Sequence, residues 1–61
     1  MFNTNGFKQF LIETKLHYPE MKIEIFVRGA ISKTMDEYEE PQQAIEVMQE
    51  ILLAYEEVKR L

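Results

Sequence analysis

The stretch Met21–Arg28, MKIEIFVR, sets the architecture expected of this chain. Ile23, Ile25 and Val27 alternate with Lys22, Glu24, Phe26 and Arg28, the period-two pattern of a strand with one covered face. Phe26 interrupts the polar side, so that side is expected to be partly covered as well. Arg28-Gly29 suits a hairpin turn, because glycine takes positive φ without steric cost. Ala30 to about Tyr38 (AISKTMDEY) then returns as a second, weakly alternating strand. The two strands are expected at about 21–28 and 30–37.

Upstream, Met1–Thr4 forms a lead-in, and Asn3, Thr4 or Asn5 can cap a helix by accepting a hydrogen bond from its first free N–H groups. With Asn3 as the cap, Phe2 and Phe7 take the positions of a hydrophobic staple. The helix is expected over about 5–17, with Phe7, Phe10, Leu11, Thr14 and Tyr18 on one face. Ile12 and Leu16 form a second apolar pair on the opposite side, a candidate self-association surface. Pro19 disfavours a helical Tyr18 and ends the element.

Downstream, Pro41–Leu61 (PQQAIEVMQEILLAYEEVKRL) has the pattern of a long amphipathic helix over about 41–60. Ala44, Ile45, Val47, Met48, Ile51, Leu52, Ala54, Tyr55 and Val58 share one wide arc at about 100° per residue. Pro41 fits the first helical position, where its missing N–H costs nothing. Glu39 and Glu40 lie at the positive end of the macrodipole, and Lys59 and Arg60 at the negative end. Leu53 points away from the arc, into a polar face holding Glu46, Glu50 and Glu57.

The expectation is therefore a single α+β domain over residues 1–61 with the order αββα. A two-stranded hairpin is marginal alone. It must pack against both helices, or pair with a second hairpin as a four-stranded sheet across a homodimer. The order resembles part of a double-stranded RNA-binding module, but those have three strands and a basic second helix, whereas the second helix here is acidic.

A chain of 61 residues is near the lower limit for a self-sufficient core. It contains no cysteine and one histidine. Disulfides and a Cys/His zinc site within one chain are therefore excluded, and homodimerisation is the expected reinforcement. Met1–Ile12 lacks a basic start and a continuous apolar run, so no secretory leader is expected. No stretch approaches the length of a membrane span. A cytoplasmic protein without membrane contact is the expectation.

The formal net charge of −4 conceals an asymmetry. Lys8, Lys15, Lys22, Arg28 and Lys33 fall in the first half. Asp36, Glu37, Glu39, Glu40, Glu46, Glu50, Glu56 and Glu57 then follow without an intervening basic residue. The acidic block argues against nucleic acid as a partner for that surface, because binding it needs cations to replace counterions. A basic protein surface fits better, with electrostatic steering of the encounter.

No residue set carries a reaction. Glu13 and His17 have helical i,i+4 spacing but no third metal ligand. Asp36, Glu37, Glu39 and Glu40 lack the glycine and terminal glutamate of a calcium loop. Neither glycine belongs to a phosphate-cradling loop. The expected function is a non-enzymatic, cofactor-free and metal-free binding or regulatory protein acting through protein contacts. Its candidate surface is Leu53 with Glu46, Glu50 and Glu57, extended by Asp36, Glu37, Glu39 and Glu40. Two alternatives remain at this point. One is an acidic nucleic-acid mimic that inhibits a DNA-binding protein, since small size with an acidic helix resembles accessory proteins of phages and mobile elements. The other is a small nucleic-acid binder using the basic first half.

Overall fold

The structure is a computed structural model that describes residues 2–61; Met1, the first residue of the expected lead-in, lies outside the described residues. It contains three helices, α1 (Thr4–His17), α2 (Glu24–Glu37) and α3 (Pro41–Lys59), and no strand among the described residues. The α+β expectation is overturned. There is no hairpin at 21–28 and 30–37, no αββα order, and no edge with which to build a four-stranded sheet across a dimer.

The physical reason lies in the middle segment. Ile23, Val27, Ala30, Ile31 and Thr34 recur at i, i+4, i+7, i+8 and i+11, which is one face of a helix. Val27 and Thr34 are buried on that face, with Ala30 and Ile31 half-buried beside them. The seven-residue alternation from Lys22 to Arg28 is a local coincidence inside this longer period. It leaves Ile25 on the solvent side, 63% exposed. Phe26, the misfit of a strand, turns toward α1 and meets Phe10 edge-on, with ring centroids 4.9 Å apart. Gly29 has helical φ and lies in the interior of α2.

The start of α1 follows its local chemistry. Asn3 has extended φ and ψ, and its side-chain oxygen accepts from the Gly6 N–H at 2.8 Å. Phe2 and Phe7 close the staple with centroids 5.6 Å apart. Glu40 is extended before Pro41, which opens α3. Thr14 and Thr34 are buried, but each hydroxyl donates at 2.8 Å to the carbonyl four residues back, Phe10 and Ala30 respectively.

Helix α3 is the spine against which α1 and α2 pack. Thr4 donates to Glu50 at 2.9 Å, and Lys15 reaches the Val58 carbonyl at 3.0 Å. Helix α1 therefore runs parallel to the C-terminal half of α3. Helix α2 runs the other way: Glu24 at its start meets Tyr55, while Tyr38 just past its end lies beside Val47. The result is an up-down-up three-helix bundle of 35 × 16 × 16 Å. Leu11, Ile23, Val27, Ile51 and Val58 form the core. No described helix is long and apolar enough to cross a membrane.

Candidate functional site

Glu46, Glu50, Leu53 and Glu57 follow one another along α3 at spacings of four, three and four residues, so they form one line on its surface. Leu53 is 58% exposed on this line. The line borders α1, and two of its carboxylates are engaged there. Glu50 accepts the Thr4 hydroxyl, and Glu57 forms an ion pair with Lys8. Leu53 lies one turn before Glu57 on α3, and Ile12 one turn after Lys8 on α1. Ile12 is packed against the core, while Leu16 is 70% exposed, so the expected self-association pair is divided between two roles.

Glu46 and Glu50 line a shallow open hollow of about 420 Å³ with Tyr38, Gln43 and Val47. Among the described residues, Glu46 receives only a long contact, 3.4 Å, from the Gln42 amide. Two carboxylates one turn apart repel each other mildly. Beside an aromatic ring and an apolar floor, they offer acceptors to a guanidinium or ammonium group.

Asp36 and Glu37 occupy the last turn of α2, and Glu39 and Glu40 the short connection to α3; all four are exposed. Carboxylates at a helix C-terminus oppose the macrodipole. The last turn of α2 contains no basic residue, and Lys33 approaches Glu37 at 3.6 Å. Tyr38 sits in the middle of this run and also lines the hollow, so the connection and the α3 line meet at its ring. The alternation of AISKTMDEY places Tyr38 at the end of a strand, where the structure has the residue that follows α2. The signal for its role was its place as an aromatic among glutamates (Glu37, Glu39 and Glu40).

The basic residues of the first half are dispersed. Lys8 is held by Glu57, Lys15 donates to the Val58 and Lys59 carbonyls at the end of α3, and Lys33 faces Glu37. Among the described residues, no three of His, Cys, Asp and Glu converge as metal ligands. Glu13 accepts from Gln9 at 3.4 Å.

At the other end of the bundle, the Tyr55 hydroxyl donates to Glu24 at 2.7 Å, and Lys59 lies over the Tyr55 ring, 5.1 Å from its centroid. The hydrogen bond from Tyr55 holds the Glu24 carboxyl below its ordinary range. The same bond, with a smaller contribution from desolvation, raises the Tyr55 phenol above its ordinary value. Both shifts stabilise the pair with glutamate ionised and tyrosine protonated. The Glu24 contribution is lost as pH falls through its lowered value, and the Tyr55 contribution as pH rises through its raised one. Tyr55→Phe is therefore expected to lower Tm at neutral pH, with the difference from wild type shrinking in acid. Thermal unfolding followed by circular dichroism across pH measures it, and a deficit that does not vary with pH would refute the linkage.

No known family matches the chain, and no curated protein or solved structure similar to it was found.

Proposed function

We propose that this chain is a non-enzymatic binding protein that docks on a basic surface of a protein partner, through Glu46, Glu50, Leu53 and Glu57 of α3. The observation that carries this reading is the continuity of the acidic surface. It runs from Asp36–Glu40, past Tyr38 and the carboxylate-lined hollow, to an exposed leucine. Leu53 supplies the apolar anchor, the carboxylates form the rim, and the hollow takes a lysine or arginine side chain of the partner. Carboxylates kept at the wrong end of α2 fit a binding role better than a stabilising one. A cytoplasmic setting goes with this reading.

The same geometry weighs against the other two functions. A phosphate mimic needs free, regularly spaced carboxylates, whereas Glu50 and Glu57 are tied to α1 and Leu53 stands between them. A nucleic-acid binder needs its cations free on one face, whereas Lys8 and Lys15 are engaged with α3.

The test is a pull-down from nuclease-treated lysate with three baits, wild type, Leu53→Glu and Glu46→Lys. A protein is expected to be retained by wild type, weakened at least tenfold by either substitution, and released steeply with salt. Both substitutions lie at exposed positions and are expected to change stability by no more than about 0.5 kcal/mol. Equal retention by all three baits, or retention by none, would return this surface to solvent.

A further inference from the structure

The two halves of α2 are held very differently. The first half and its cap residue bring Val27 and Ile23 to the core, seat Phe26 on Phe10, and tie Glu24 to the Tyr55 hydroxyl. Among the described residues, that bond is the one side-chain hydrogen bond or ion pair between α2 and another helix. After Gly29 the anchoring thins. Thr34 is buried there, but its hydroxyl bonds the Ala30 carbonyl of its own helix. Ala30 and Ile31 are half-buried, and Ser32, Lys33, Met35, Asp36 and Glu37 are exposed.

The reach of α1 explains the difference. Its first residue, Thr4, already meets Glu50, so α3 from Pro41 to about Glu46 extends beyond it. At this end α2 lies along α3, with Phe2, Asn3 and Phe7 facing it across an open hollow of about 380 Å³. Tyr38 lines this hollow and the carboxylate-lined one beside Val47, so the end of α2 is undercut on two sides.

Local chemistry weakens the same segment. Glycine loses more backbone entropy in a helix interior than any other residue, and nothing packs where a Cβ of Gly29 would stand. Asp36 and Glu37 lie at the negative end of the α2 dipole, with no basic residue in the last turn. The pair from Lys33 to Glu37 is exposed on both sides and adds little.

We propose that α2 is hinged at Gly29: Ala30–Glu37 unwinds from the bundle as one unit while Glu24–Arg28, α1 and α3 stay in place. The connection Tyr38–Glu40 keeps the opened segment tethered to α3. Tyr38 is a wall of both hollows and moves with the segment, so each opening merges them beside Val47. The acidic surface thus changes shape without global unfolding, whether or not it docks a partner.

Amide hydrogen exchange resolved by NMR tests this on the wild-type chain. The N–H groups of Thr34–Tyr38 close the last turns of α2, the last of them on the Thr34 carbonyl at 3.1 Å, and those of Val27–Ala30 close its first half. Thr34–Tyr38 are expected to be about tenfold or more less protected than Val27–Ala30. The matching amides of α1, Thr14–Tyr18, report ordinary fraying at the end of a helix of equal length, and are expected to exchange more slowly than Thr34–Tyr38. Adding about 1.5 M urea, below the unfolding transition, is expected to speed exchange at Ile51 and Val27 roughly tenfold and at Thr34–Tyr38 by less than about twofold, because a local opening exposes little surface. Equal protection in both halves of α2, or an equal urea dependence at Thr34–Tyr38 and Ile51, would mean that α2 opens only with the whole bundle, and would overturn the proposal. So would equal protection at the ends of α1 and α2, which would reduce the opening to fraying.

Discussion

Ile51→Ala is expected to cost about 3 kcal/mol, at least a third of the stability of the whole chain. Ile51 is fully buried and belongs to the core cluster, with Leu11 of α1, Ile23 and Val27 on the α2 side, and Val58 about two turns further along α3. Truncation removes the transfer free energy of three carbons and opens a cavity that two separate helices would have to move to fill. Such changes cost about 2–5 kcal/mol. A chain of this length holds a total stability of roughly 3–9 kcal/mol, at about 0.05–0.15 per residue. One buried side chain is thus a large part of the whole. Leu53→Ala, two residues away and 58% exposed, is expected to stay within about 0.5 kcal/mol of wild type. Urea titrations followed at the helix band compare the two. Equal midpoints would mean that α3 does not present Ile51 to α1 and α2, and the bundle would be wrong.

That contrast rests on the part of the fold that was legible in the sequence. The face of α3 follows from its own period, and its start from Pro41, so Ile51 and Leu53 separate into inside and outside without knowledge of any other element. The beginning of α1 is equally local, since Asn3 and the Phe2–Phe7 staple act within a few residues. The middle segment failed because two periods overlap in it. Ile23, Ile25 and Val27 favour a strand both by β-branching and by alternation. The helical period appears only when the window reaches Ala30, Ile31 and Thr34, and it prevails because it gives α2 a face to bury against α3.

The candidate site divides in the same way. The line Glu46–Glu50–Leu53–Glu57 needs only the period of α3. The engagement of Glu50 by Thr4 and of Glu57 by Lys8 needs the placement of α1, between residues more than forty positions apart in the chain. No local pattern carries that information. The meeting of Tyr38 with Glu46 and Glu50 also depends on α2 being a helix, which is why the hollow was not foreseen from a segment expected to be a strand.

Gly29 tests the corrected segment most directly, because the two architectures give opposite signs. In α2 it is an interior position with ordinary helical φ, and a Cβ added there would meet nothing within 4 Å. Gly29→Ala is therefore expected to stabilise the protein by about 0.5–1 kcal/mol, by lowering the entropy of the unfolded chain without a clash. Gly29→Pro would remove one rung of the α2 hydrogen-bond ladder and press its ring against the carbonyl of Ile25, at a cost of about 3 kcal/mol or more. In a hairpin turn with positive φ, alanine would be strained and destabilising. Because the position is open to solvent, neither substitution disturbs side-chain packing, and the difference between them reports the backbone alone. Chemical denaturation of the two variants gives both signs. A loss of stability in Gly29→Ala would point back to a turn at this position, and with it to a different bundle face for Val27, Phe26 and Ile31.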